Sequence, residues 1–262
     1  YNLLNNAQPL DIGGTGLFGA GGLTQLSGTL SNGTLTSADN TALNSNTGVL
    51  SNITIGSNLT TAGTLTISNS LLLADTVVLD KAASNWNFNT IGTLNVAMLG
   101  GTGAASILSS GGTFSAGSGV AGQALVFGAG VTLQSVGTGT SNLTGSNNAT
   151  VTNNGNIVSS TGGTWTLNPQ TFTNGNTGNI SVSSGTVNIN ATSWSNSASG
   201  GFTVSGGTLN LGSSFTNANL GTGAFTRSGG NVNITGSYNL LNNAQPLDIG
   251  GTGLFGAGGL TQ

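Results

Sequence analysis

The 262-residue chain carries five Asp, two cationic side chains (Lys81 and Arg227), no Glu, His or Cys, and a formal charge of −3; charged residues are 3% of the total, against about 25% in an ordinary domain. Triads built on His or Cys are therefore excluded, and so is nucleic-acid binding, which needs clustered Lys or Arg to neutralise phosphates. Hydrophobic residues still make up 35%, and Val, Ile, Leu and Phe alternate with Thr, Ser and Asn, which separates the chain from charged or proline-rich disordered sequences.

The chain opens on YNLLNNAQPLDIGGTGLFGAGGLTQ, and residues 238–262 repeat this stretch at all 25 positions with an offset of 237. Cores tolerate many volume-conserving substitutions, so a shared structural need does not require identity. The simplest account is a window on a longer tandem array. Residues 1–237 are then one unit of a continuous solenoid, and residues 238–262 start the next identical unit. The GGTGLFGAGG run has GxGxxG-like spacing at Gly14, Gly16 and Gly19, but no helix pattern follows it, so it reads as a tight β corner.

Between residues 26 and 140 the words GTL (at Gly28, Gly33, Gly63 and Gly92) and GTF (at Gly112) recur unevenly, at intervals of about 20 to 30 beyond the close Gly28/Gly33 pair, which predicts loops projecting from some coils. The longest apolar run, SLLLADTVVL at 70–79, is too short to cross a bilayer and contains Asp75. From 156 onward the pattern becomes regular. GTWTL, GTVNI, GTLNL and GNVNI begin at Gly163, Gly185, Gly207 and Gly230, at spacings of 22, 22 and 23. Apolar–polar–apolar alternation is the signature of a strand with one buried face. Each strand follows a Gly-rich corner, where positive φ is cheap. Each is preceded by a short β segment (156–158, 179–182, 201–204, 223–226) and followed by an aromatic residue (Phe172, Trp194, Phe215, Tyr238).

Three short strands per turn, repeating every ~22 residues, predict an all-β chain folded as a parallel β-helix, a β-solenoid of about 11 coils per 237-residue unit. Three columns are expected inside, headed by Trp165, Leu167 and Phe172, while Asn188, Asn210 and Asn233 form an outward amide ladder. At ~4.8 Å per coil the unit spans on the order of 50 Å.

No residue is assigned a catalytic, cofactor or metal role. Asp75 and Asp80 formally offer two carboxylates, but they read as surface side chains beside a solvated Lys81. GGTG at Gly13 and at Gly100 lacks the Asp of calcium-binding solenoids. Thr-x-Thr pairs, as on flat ice-binding faces, occur at Thr34/Thr36, Thr64/Thr66, Thr150/Thr152, Thr164/Thr166 and Thr171/Thr173. In the aligned coils Thr164/Thr166 is followed by Thr186/Asn188, so that array breaks after one coil.

Residues 201–236 (GFTVSGGTLNLGSSFTNANLGTGAFTRSGGNVNITG) resemble the repeats of large secreted bacterial β-helix proteins, the filamentous-haemagglutinin-like exoproteins and autotransporter passengers. The resemblance covers the last third of the chain clearly and the rest loosely. It implies a right-handed β-helix, export to the cell surface, and a role as adhesin, stalk or extracellular fibre; it transfers no functional residue. The expected function is a structural segment of an extracellular filament, or alternatively the stalk or binding segment of an adhesin. Its expected partners are further copies of itself, stacked end to end or bundled laterally, and surface glycans, with no nucleic acid and no membrane insertion.

Overall fold

The computed structural model describes residues 1–3, 8–240, 248–251, 253 and 255–256. The chain is a parallel β-solenoid of about 10 turns with almost no helix. Its strands pair in parallel with those of the turns before and after. From residue 78 on, each turn contributes one strand to each of three faces. In one turn these are Asn156–Ser159, Thr164–Asn168 and Thr171–Asn174; in the next, Asn179–Val182, Thr186–Ile189 and Ser193–Asn196.

The period-two pattern dictates which side chains enter. In Thr186–Ile189, Val187 and Ile189 are buried while Thr186 and Asn188 are not. The expected columns form in register. Trp165, Val187, Leu209 and Val232 stack in one. The Leu167 column extends further back than the repeat words reveal: Leu65, Trp86, Phe114, Leu143, Leu167, Ile189, Leu211 and Ile234 are successive partners. On the third face Phe172 pairs with Trp194 and Phe215 with Tyr238; the Trp194 and Phe215 rings lie 5.0 Å apart, and the Phe215 and Tyr238 rings stack at 4.8 Å. On the first face a column runs from Leu79 through Ile107, Leu133, Ile157, Ile180 and Phe202 to Phe225. Nearly every apolar side chain on these columns is fully buried.

Corners follow from backbone sterics. Gly185 has φ +78°, and a Cβ there would sit 2.2 Å from the Gly163 carbonyl of the coil below, so no other residue fits without a backbone shift. In the first half of the chain asparagine takes over this role: Asn32, Asn52 and Asn69 adopt φ of 59°, 57° and 64°. Asparagine tolerates that region better than other side chains. The chain turns at these residues without leaving the sheet, so Leu43–Ile55 and Leu59–Leu73 are single strands of 13 and 15 residues. Leu59–Leu73 alone pairs with strands of all three faces in the next turn.

One departure from the sequence pattern has a local cause. The fourth segment, expected at 223–226, is shifted to Phe225–Arg227. A four-residue helix, Asn217–Leu220, precedes it, and Thr216 and Asn219 form its capping box. Loops at residues 99–104 and 117–123 lengthen two turns, as the uneven intervals predict.

Candidate functional site

Each Asp for which a partner is resolved serves a backbone turn. Asp75 Oδ1 accepts from the Thr76 and Ala104 N–H groups at 3.0 and 2.9 Å. Asp80 Oδ1 accepts from the Ala82 N–H at 2.7 Å. Asp11 holds Gly13 and Ala38, and Asp39 holds Gly14 and Thr41. These hydrogen bonds keep the Asp11 carboxyl below its ordinary value of 3.8, with the Gly13 N–H first; at Asp39 the Thr41 side chain leads. The stabilisation is thus present above that pH and is lost as pH falls through the lowered values.

Lys81 is not solvated, as its neighbours in sequence suggested, but wholly enclosed. Its Nζ donates to the carbonyls of Ser84 and, at 2.7 Å, Gly111, and it sits 4.7 Å from the centroid of the Phe114 ring. Two carbonyls and an aromatic face replace water around the ammonium. Burial still pushes its pKa down to about 8, opposed by the Asp80 carboxylate. The unfolded chain then binds the proton more tightly, so stability rises with pH once Lys81 begins to titrate in the folded state. Between pH 8 and 9.5 the gain is about 2 kcal/mol. A urea-midpoint series over that range checks this, and Lys81→Met should flatten the rise.

Polar ladders run along the stack. The outer one is as expected: Asn210 donates to Asn188 at 2.7 Å and Asn233 to Asn210 at 2.8 Å. A second, inner ladder escaped the sequence reading. Asn153 donates to Asn174 at 2.8 Å and Asn174 to Asn196 at 2.7 Å, with all three side chains buried. The strands TVTN, TFTN and SWSN each end on this residue, which was its available signal. This ladder continues a column that is apolar below it, through Leu71, Val96 and Phe127. On the same face two Thr-x-Thr pairs come into register, Thr150/Thr152 over Thr171/Thr173, but Ser193 and Ser195 follow them. Threonine methyls are thus repeated over two turns, short of an extended flat array.

The N-terminal end presents an apolar hollow of about 270 Å³ lined by Tyr1, Leu17, Phe18, Leu23, Leu26 and Leu30. Leu17 and Phe18 are 67% and 41% exposed. They project from a compact loop, residues 13–22, in which Gly16, Gly19 and Gly22 N–H groups bond back to Gly13, Gly16 and Gly19 carbonyls. The Leu23 N–H closes the loop onto the Ile12 carbonyl at 2.8 Å. This is a three-turn excursion rather than the single corner that the glycines suggested.

Among the described residues no group of three or more His, Cys, Asp or Glu side chains is brought together, and no helix is long and apolar enough to cross a membrane. What the described residues offer is stacking: ladders of amides and rings along one axis, and an apolar hollow beside residues 17–30. Comparison with known family models, with curated proteins and with solved structures finds no match.

Proposed function

We propose that the chain is a structural repeat segment of an extracellular, cell-surface β-solenoid filament built from tandem 237-residue units. The observation that carries this reading is the 25-residue identity at an offset of 237, found in a chain whose side-chain columns all run along one axis. In a solenoid each turn contacts only its neighbours, so stability accumulates as turns are added. An uncovered last turn is an open edge that tends to pair onward. A repeated terminal segment meets that need with the same residues at each joint. Low charge, with Asn, Ser and Thr outward, suits lateral contact between neighbouring fibres and with surface glycans. The filament supplies length, stiffness and contact area rather than catalysis.

A second reading, the stalk or binding segment of a large bacterial adhesin, draws on the resemblance of residues 201–236 to filamentous-haemagglutinin-like and autotransporter repeats. Electron microscopy of the native material separates the two. Long uniform fibres with an axial repeat near 50 Å, from ~10 turns at ~4.8 Å each, support the filament. Short rods ending in a knob support the stalk. Material without a ~4.8 Å axial spacing overturns both.

A further inference from the structure

The duplicated segment appears in two environments, and the difference between them describes a joint. Where both copies are described, the local geometry around the first glycines is the same. Gly13 N–H bonds Asp11 Oδ1 at 2.9 Å, and Gly250 N–H bonds Asp248 Oδ1 at 2.7 Å. The Gly16-to-Gly13 and Gly253-to-Gly250 backbone bonds are both 3.0 Å, and Gly19 and Gly256 have φ of 66° and 67°.

The surroundings differ reciprocally. Phe18 is 41% exposed, whereas its copy Phe255 is fully buried, edge-on to Phe225 with centroids 5.6 Å apart. A Cβ on Gly19 would meet nothing within 4 Å; on Gly256 it would meet Arg227 Cβ at 3.1 Å. Tyr1 is 63% exposed, while its copy Tyr238 stacks on Phe215. The opposite side of the segment shows the reverse. Leu3 and Ile12 are buried under the following turn, and their copies Leu240 and Ile249 are 47% and 54% exposed. Taken together, the two copies show one segment covered on both sides.

Resting on the filament reading, we infer that the apolar hollow around Leu17 and Phe18 is the seat of the last turn of a second copy of this chain, with that copy's Phe225 against Phe18 and its Phe215 over Tyr1. The template is the contact that Phe255 and Tyr238 already make. Since residues 248–251, 253 and 255–256 cover that last turn within each chain, docking of a second copy displaces them. The Phe202–Phe225 ring contact at the end of the first-face column is then capped by Phe18 of the next copy, as Phe255 caps it within one chain.

The test uses sedimentation velocity on the full chain carrying Phe255→Ala, which loosens the chain's own cover over Phe225. Concentration-dependent end-to-end association is expected, and adding Phe18→Ala should return the species to monomer. Phe18→Ala alone should leave the urea midpoint nearly where it is, because that ring is 41% exposed at the edge of the hollow. Three results overturn the inference: a Phe255→Ala chain that stays monomeric at all concentrations, association that survives Phe18→Ala, or a midpoint lowered by Phe18→Ala alone. The second would leave the filament reading intact, since lateral contacts also build fibres, and electron microscopy tests that reading separately.

Discussion

Phe114→Ala is expected to destabilise the chain by about 3–5 kcal/mol, the range for an aromatic truncated to alanine in a core. Phe114 is fully buried at the centre of a cluster. Its ring meets Trp86 at 5.6 Å edge-on, Phe88 at 6.4 Å stacked and Trp165 at 5.5 Å tilted. These neighbours are held by backbone register, so they cannot close over the cavity. The loss also removes the face under the Lys81 ammonium, leaving a buried cation with two carbonyls alone. The variant should therefore gain more stability on raising the pH than the parent does. Phe114→Leu keeps most of the volume but loses the ring pairings, each worth about 0.5–1.5 kcal/mol beyond area. Its urea midpoint should fall between those of the parent and of Phe114→Ala. Equal midpoints for parent and alanine variant would contradict the packing described.

Asn174→Leu is expected to cost about 2–4 kcal/mol although leucine has the same branched arrangement of four side-chain heavy atoms as asparagine. Asn174 Nδ2 reaches Asn196 Oδ1, the Gly178 carbonyl at 3.2 Å and the Gly201 carbonyl at 3.1 Å, while its Oδ1 accepts from Asn153. Substitution leaves Asn196 Oδ1 without this donor and takes one partner each from the Asn153 amide and the Gly178 and Gly201 carbonyls, and a buried group left unpaired costs about 1–3 kcal/mol. Asn153 lies at the ladder's lower end, beside Phe127, and its Oδ1 has no hydrogen-bond partner. Asn153→Leu should thus cost less than Asn174→Leu. Replacing all three asparagines should cost less than the sum of the single changes, because neighbours in one network are not additive. Urea titration of the four variants measures this ordering.

The regular half of the solenoid was legible because its corners are glycines at near-constant spacing; the strand words then fall on the same face each time. Trp165, Val187, Leu209 and Val232 needed no more than counting. The earlier half defeats counting for a physical reason. There the words GTL and GTF are spread over several columns, and only Leu65 and Phe114 share one, through Trp86. Leu30 pairs with Leu50, Leu35 with Ile55, Leu65 with Trp86, and Leu94 with Leu125. With asparagine instead of glycine turning the chain at Asn32, Asn52 and Asn69, no punctuation separates one face from the next. The inner asparagine ladder was hidden because a polar residue at a strand end reads as solvent-facing unless its register is known. Lys81 was hidden likewise: nothing local shows that Gly111, 30 residues away, supplies a carbonyl for its ammonium. The duplicated segment was plain as sequence, but which of its faces is covered depends on neighbours that lie elsewhere in the chain.

The parallel ladders carry a mechanical consequence. Every inter-turn hydrogen bond points along the stacking axis, so tension applied to the ends loads all bonds across one turn boundary together. Nothing yields until that whole set fails. When a turn of about 22 residues does peel away, it shortens the folded rod by ~4.8 Å and releases on the order of 70 Å of extended chain. A pulled molecule thus lengthens in quantised steps while the remaining turns keep their full strength. Such a rod is stiff under small loads and dissipates large ones.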